Sequence, residues 1–163
     1  MKYKTALVVG RFQPFHKGHL HLIKEALKHA DKLVIGIGSS NIKNQDNPFS
    51  FEERKEMVEE VLQSENLWDK VQLIIPLADV PDDMEWAKCA IRESGEIDVV
   101  IGNNDSGVNI FFEKLQYPVI RILYLNRELY QGIKIRPLFV GEEWKDRVPQ
   151  VLVSLIEKNL KNV

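Results

Sequence analysis

Leu7-Val8-Val9-Gly10-Arg11-Phe12-Gln13-Pro14-Phe15-His16-Lys17-Gly18-His19 decides the fold of this chain. The apolar run predicts a buried strand over residues 5–9, and Gly10 and Pro14 mark the loop after it. Leu20, Ile23 and Leu27 then recur at helical spacing, which predicts a helix over residues 18–30. The carboxyl edge of a parallel sheet is where open α/β folds bind ligands. A helix N-terminus there attracts phosphate through free N–H groups and its dipole. His16 and His19, with Gly18 between them, put two titratable groups at this place.

Outward from this stretch the pattern repeats. Leu33, Val34, Ile35 and Ile37 predict a second buried strand over residues 32–38. Residues 39–48 are polar and aperiodic, a loop long enough to cover a site. Ser50-Phe51-Glu52-Glu53 has the form of a capping box, and Met57, Val58, Val61 and Leu62 carry a helix after it. Further strands are expected over residues 71–75, 97–101 and 119–123, with helices over 82–93 and 108–115. Pro149 sits at the first turn of a last helix that carries Val151, Leu152, Leu155 and Ile156, inside a C-terminal helical segment spanning about residues 141–161. Its end, Lys158 to Lys161, reads as solvated. Alternating short buried strands and helices argue for parallel βαβ units. The expected class is α/β, a Rossmann-like doubly wound parallel sheet with helices on both faces, in a single domain over residues 1–163.

Composition narrows the partners. The 163 residues carry 22 basic and 24 acidic side chains, a net charge of -2, which leaves no electrostatic footprint for nucleic acid. Cys89 is the only cysteine, so no internal disulfide is possible and a reducing, cytoplasmic setting fits. Residues 1–9 lack a signal-peptide layout. No apolar run approaches the roughly 20 residues of a spanning helix. Neither a nucleic acid nor a membrane is an expected partner.

Two histidines at this spacing can be surface side chains or half of a metal site. Zinc needs a third protein ligand, which no cluster supplies, so no protein-held metal is expected. His21 and His29 read as helix-surface residues. No G-x-G-x-x-G follows the first strand and no P-loop is present, which removes dinucleotide hydride transfer and P-loop chemistry. Imidazolium groups, Arg11 and a helix dipole together suit a reaction that develops negative charge on transferring phosphoryl groups.

Gly10-Arg11-Phe12-Gln13-Pro14-Phe15-His16-Lys17-Gly18-His19 resembles the G-R-F-Q-P-x-H-x-G-H form of the (H/T)xGH signature of nucleotidyltransferases. It is most similar to the archaeal type of nicotinamide-nucleotide adenylyltransferase. Further segments resemble that family in order. Ile37-Gly38-Ser39-Ser40 is similar to its turn after strand two, and Asn47-Pro48-Phe49-Ser50-Phe51-Glu52-Glu53-Arg54 to its N-P-F-S/T-x-x-E-R segment. Ile75-Pro76-Leu77-Ala78-Asp79-Val80 with Trp86 is similar to its I-P-L-x-D segment and following tryptophan. Ile101-Gly102-Asn103 and Ile135-Arg136 match its fourth-strand turn and the end of its S-x-T-x-I-R motif.

The resemblance implies transfer of AMP from ATP to nicotinamide mononucleotide, giving NAD and pyrophosphate without a covalent intermediate. It implies that His16, His19, Arg11 and Arg136 serve catalysis and hold ATP phosphates. Gly10 and Phe12 join them at the ATP site, Gly18 admits adenosine to the helix start, and Gly102 and Asn103 form the adenine-side wall. Trp86 stacks on the nicotinamide ring, Asp79 orients it, and Gly38 and Arg54 contact the mononucleotide. The implied cofactor is Mg2+, carried mainly on ATP oxygens. The implied assembly is a homo-oligomer, with a hexamer as the particular case.

Taken singly, each residue has a plainer meaning. Trp86 is a core aromatic, Asp79 a turn residue, Arg54 beside Glu53 a surface ion pair, Gly102 a strand end and Cys89 a small buried side chain. One segment departs from the family pattern: Gln131 and Ile133 stand where S-x-T-x-I-R has its two hydroxyls. Tyr130, Lys134 or backbone N–H groups are the candidate replacements. Two other readings stay open: a related transferase acting on another phosphorylated acceptor, such as phosphopantetheine or glycerol phosphate, and a non-catalytic nucleotide-sensing module.

Overall fold

Five parallel strands form one sheet in the order β3-β2-β1-β4-β5 in the computed structural model, which describes residues 2–163. They are β1 (Tyr3–Gly10), β2 (Ala30–Ile37), β3 (Val71–Pro76), β4 (Val99–Asn103) and β5 (Val119–Ile122). The helices are α1 (Lys17–Ala26), α2 (Phe51–Ser64), α3 (Asp83–Ser94), α4 (Asn109–Lys114), α5 (Gly132–Ile135) and α6 (Val153–Leu160).

The central stretches of β1, β2 and β4 are apolar because both faces of the sheet are covered there. Ala6 and Val8 point to one face, where they join Leu22, Ile23 and Ala26 of α1, Met57 and Val61 of α2, and Leu155 and Ile156 of α6. Leu7 and Val34 point to the other face, against Ala87 and Ala90 of α3 and Phe112 of α4. Side chains alternate across a strand, so consecutive β1 residues serve the two cores in turn. The doubly wound arrangement expected from the sequence is the one observed.

Several boundaries differ from expectation. Helix α1 begins at Lys17 and ends at Ala26, well before residue 30. Leu27 to His29 form a turn, and the Tyr3 N–H donates to the His29 carbonyl at 2.8 Å, so the chain has already joined the sheet by that point. His29 therefore lies in this turn and not on a helix. Helix α2 starts where its capping box predicts: Glu53 N–H donates to Ser50 Oγ at 3.1 Å and Ser50 N–H to Glu53 Oε1 at 2.9 Å. The C-terminal segment breaks into short 3-10 turns, Glu143–Asp146 and Gln150–Leu152, before α6. Helix α5 has four residues, too few to show a periodicity.

The sheet order places β1 between β2 and β4, so the chain winds one way from β1 and the other way after β3. The carboxyl ends of β1 and β4 flank this reversal, where a crevice opens. Among the described residues no helix is long and apolar enough to cross a membrane.

Candidate active site

Immediately after β1 the chain folds onto itself. Phe12 takes a left-handed φ of 53° and its ring lies back over Gly10, where a Cβ would come within 2.9 Å of it. Phe12 and Phe15 are buried and stacked at 5.5 Å, and the His19 ring rests 4.5 Å from Phe12. The two phenylalanines form an apolar floor beneath the histidines.

His16 and His19 cap α1 with their own side chains. The Gly18 N–H donates to His16 Nδ1 at 3.1 Å, and the His16 N–H donates to His19 Nδ1 at 3.0 Å. The Lys17 N–H goes to the Arg147 carbonyl at 3.0 Å, while those of His19 and Leu20 go to the His16 carbonyl at 3.0 and 3.2 Å. The first turn of α1 thus has no free N–H, which corrects the expectation that these groups receive phosphate. Each Nδ1 accepts a hydrogen bond, so each ring carries its proton on Nε2 and is neutral. Burial pushes the His16 imidazole down to about 3, and burial together with His16 holds His19 well below its usual range. The expected imidazolium pair is therefore a pair of neutral rings, stacked 3.7 Å apart. With each Nδ1 engaged by the backbone, the Nε2–H groups are left to the cavity that both rings line.

Neutral buried histidines have a signed consequence. Between about pH 3 and the ordinary value of about 6.5 the unfolded chain takes up protons that the folded chain refuses, so stability is full above 6.5 and falls on acidification. Each histidine contributes up to about 1.4 kcal/mol of loss per pH unit. Urea midpoints should drop steadily from pH 7 to 5. His16→Asn, which keeps an N-cap acceptor but not the titration, should flatten that slope. A midpoint that rises on acidification would mean that the fold holds imidazolium.

Gly18 has a different role from the one expected. A Cβ there would lie 2.9 Å from His16 Cε1 and 3.2 Å from Tyr130 Cβ. The chain's own His16 and Tyr130 occupy the space, so the glycine serves the histidine cap and does not open the helix start to a ligand.

The histidines face a cavity of about 290 Å3 that Arg11, Asn103, Tyr130 and Arg136 also line. Arg136 Nη1 donates to the Gln13 carbonyl at 2.9 Å. Its guanidinium is held below its usual range by burial and then by Arg11, the nearby cation. Gly132 makes room for it: a Cβ there would meet Arg136 Nη1 at 2.6 Å. Ile133 stands 69% exposed on the rim, and Gln131 turns its amide to the Arg127 carbonyl at 2.7 Å. Arg127 stacks on Tyr124 at 3.8 Å and pairs with Asp105 at 3.3 Å. Gly102 sits behind the wall: a Cβ would come 2.8 Å from Asn109 Oδ1, and Asn109 Nδ2 donates to the Asn103 carbonyl at 2.8 Å.

A second cavity, about 500 Å3, opens on the other side of Arg11 and is lined by Gly10, Gly38, Ser39, Asp79, Asp83 and Trp86. Asp79 is held by Ser39 Oγ, which donates to it at 2.9 Å, and its N–H donates to Asn41 Oδ1 at 2.9 Å. Trp86 is half-buried and leans on Phe112, ring centroids 5.9 Å apart. The residues expected at the ATP site gather in the first cavity, except Gly10, Gly18 and Gly102. Gly38, Asp79 and Trp86 gather in the second. Arg11 borders both and donates to Asn47 Oδ1.

Arg54 lines neither cavity. It is fully buried, and its guanidinium donates to the carbonyls of Ser50 (3.1 Å), Arg11 (2.9 Å), Gly38 (2.6 Å) and Ser39 (3.1 Å). Burial, and then Arg11, lowers its pKa to about 10, so it stays a cation near neutrality. The expected direct contact with a mononucleotide is replaced by a clamp on the loops that carry the two cavities. Sequence reasoning also passed over Gln13, Asn47, Asp83, Asn109, Arg127 and Gly132. Gln13 and Asn47 stand inside the quoted motifs without a role attached to them, and Gly132 is a glycine two residues after Tyr130 with no turn to explain it; the other three carry no signal.

Among the described residues no group of three or more His, Cys, Asp or Glu could hold a metal ion. The first cavity presents donors and cations, not carboxylates.

Residues 7–139 match the cytidylyltransferase-like family. The chain is 35% identical to the nicotinamide-nucleotide adenylyltransferase of Thermoplasma acidophilum over 159 residues, which cover 96% of this chain and 87% of that protein. It is 35% identical to the enzyme of the same name from Methanolobus tindarius over 160 residues, 95% of this chain and 88% of the relative. Its fold superposes on a bifunctional NMN adenylyltransferase/ADP ribose pyrophosphatase from Francisella tularensis with a TM-score of 0.73 at 29% identity, covering 91% of this chain and 44% of that one. A second structure of such a bifunctional protein from that organism, complexed with AMP and a manganese ion, gives a TM-score of 0.72 at 30% identity, covering 96% and 53%. The chain spans about half the length of these bifunctional proteins.

Proposed function

The chain belongs to the nicotinamide-nucleotide adenylyltransferase family, within the cytidylyltransferase-like group, and from that premise we propose that it transfers AMP from ATP to nicotinamide mononucleotide, forming NAD and pyrophosphate. One observation carries the reading: a cavity walled by phosphate-type donors and a cavity with an aromatic ring meet at Arg11. In this reading ATP fills the first and the mononucleotide the second, so the acceptor phosphate and the ATP α-phosphate both lie at Arg11.

An oxygen of the mononucleotide phosphate forms a bond to the α-phosphorus as the bridging bond to the β-phosphate breaks, and pyrophosphate departs with that electron pair. The nucleophile is already an anion, so the site needs no general base. Its work is alignment and stabilisation of charge on the phosphoryl oxygens. His16 and His19 act as neutral Nε2–H donors, and Arg11 and Arg136 as the cations. Neutral donors keep their protons through the physiological range, so turnover carries no loss between pH 6.5 and 8.5 from histidine deprotonation.

The cavity lining offers a hard divalent cation no carboxylate ligand, so in this reading the ion, Mg2+, is carried on ATP oxygens, where it would neutralise phosphate charge. A cytoplasmic setting and a homo-oligomer belong to the same reading, the first supported by the lone Cys89.

The test is pyrophosphate release from ATP with nicotinamide mononucleotide, phosphopantetheine or glycerol phosphate as acceptor. Release with the first alone supports the reading, and release with none of them overturns it. Trp86 offers a finer check. Stacking of a cationic pyridine ring on indole combines dispersion with cation–π attraction, about 0.5–2 kcal/mol. Trp86→Ala should raise KM for the mononucleotide several-fold more than KM for ATP. An equal rise for both would return Trp86 to the core.

A further inference from the structure

Gln13 borders the first cavity but is only 2% exposed, and its amide is held by the backbone of Phe49. Its Nε2 donates to the Phe49 carbonyl at 3.0 Å, and the Phe49 N–H donates to its Oε1 at 3.1 Å. This two-way pairing fixes the amide as strand pairing fixes a backbone. Phe49 is itself fully buried and packs edge-on against Phe139, ring centroids 5.9 Å apart. The loop after β1 is thereby tied to a rigid point of the core. From that point the Gln13 carbonyl receives Arg136 Nη1 at 2.9 Å. Gly132 leaves the space on the other side, since a Cβ there would lie 2.6 Å from Arg136 Nη1 and 3.2 Å from the Gln13 carbonyl.

We propose that Gln13 is a positioning residue: by locking its own backbone to Phe49, it presents the carbonyl that aims the Arg136 guanidinium into the donor cavity. A long arginine side chain has many rotamers, and a fixed acceptor selects one of them before the ligand arrives. The segment that receives Gln13 also holds the other cation, because Asn47 accepts from Arg11. Residues 47–49 are thus a common anchor for both arginines. The inference rests on the reading of this cavity as the triphosphate site.

The test is a double-mutant cycle on kcat/KM for ATP, with melting temperatures measured alongside. Arg136→Ala should lower kcat/KM on the order of 100-fold, as for lost hydrogen bonds to a charged group. Gln13→Met, which keeps the volume and removes the pairing, should lower it about 10-fold, within the range for residues that act through one another. The double variant should then fall no more than about 3-fold below Arg136→Ala. A product of the two single effects, or parental kinetics in Gln13→Met, overturns the proposal. A merely structural residue would also give the product, since its loss does not depend on Arg136. If Gln13→Met fails to fold, Gly132→Ala presses on the same joint without touching Phe49 and should be equally non-additive with Arg136→Ala; additivity there overturns the proposal too. A parent protein with no turnover of ATP would remove the triphosphate reading itself, and this inference with it.

Discussion

His19→Gln loses on the order of 100-fold or more in turnover, as for removal of one transition-state donor, while its melting temperature stays near that of the parent. Two jobs meet at this side chain and the substitution separates them. Nδ1 accepts the His16 N–H at 3.0 Å and closes the start of α1. Nε2–H faces the cavity. Glutamine is an ordinary residue at this capping position and can accept the same N–H through Oε1. An amide occupied in that way does not reach the place of Nε2. His19→Ala removes both functions and should add a loss of about 1 kcal/mol for the cap to the same fall in rate. Steady-state kinetics beside thermal melts decide it: near-parental turnover in His19→Gln would show that His19 serves the helix alone.

The strands were legible because a sheet covered on both faces needs continuous apolar runs, and Leu7-Val8-Val9 and Leu33 to Ile37 have no other use. The start of α2 was legible because serine and glutamate are ordinary capping residues. The start of α1 uses the same device with histidine at both positions, and composition gives no hint of it. Periodicity alone carried α1 to residue 30, since Leu27 continues the pattern. Only the pairing of Tyr3 with His29, a long-range contact, ends the helix early. The site shows the same division. Arg11 and His16 sit on the loop after β1, His19 in the first turn of α1 and Arg136 directly after α5, all inside the motifs, so motif order locates them. Whether a backbone N–H is free, or whether a glycine leaves room for ligand or for the chain itself, depends on atoms brought in from elsewhere. Arg147 takes the Lys17 N–H, and Tyr130 covers Gly18.

Arg54 is the sharpest case of that dependence. Beside Glu53, on an amphipathic helix, it has the look of a surface ion pair, and the family resemblance makes it a substrate contact. Glu53 instead turns back to the Ser50 N–H, and Lys43 reaches it at 3.2 Å. Arg54 goes inward to four carbonyls, which come from the loop after β1, the turn after β2 and the start of α2.

Arg54→Lys is therefore expected to fail as a conservative change. An ammonium keeps the charge but presents three donors from one point, and it cannot span carbonyls arrayed around a planar guanidinium. Several carbonyls would stay buried without a partner, beside a charge with poor company. Removing one side of such an arrangement costs about 3–5 kcal/mol. That is a large share of the roughly 5–15 kcal/mol that separates folded from unfolded chains, and at this chain length it corresponds to a fall of about 10 °C in Tm. The same loss loosens Arg11 and Gly38 together, so KM should rise for ATP and for the mononucleotide alike. A side chain that only touched the mononucleotide would behave otherwise: Tm would hold, and the acceptor KM alone would rise. Melting curves and the two Michaelis constants, measured on Arg54→Lys and on the parent, separate a clamp from a contact. An unchanged Tm with a selective acceptor defect would sink the clamp. The expected outcome, a joint loss of stability and of both affinities, follows from a cation buried among backbone oxygens that themselves shape both cavities.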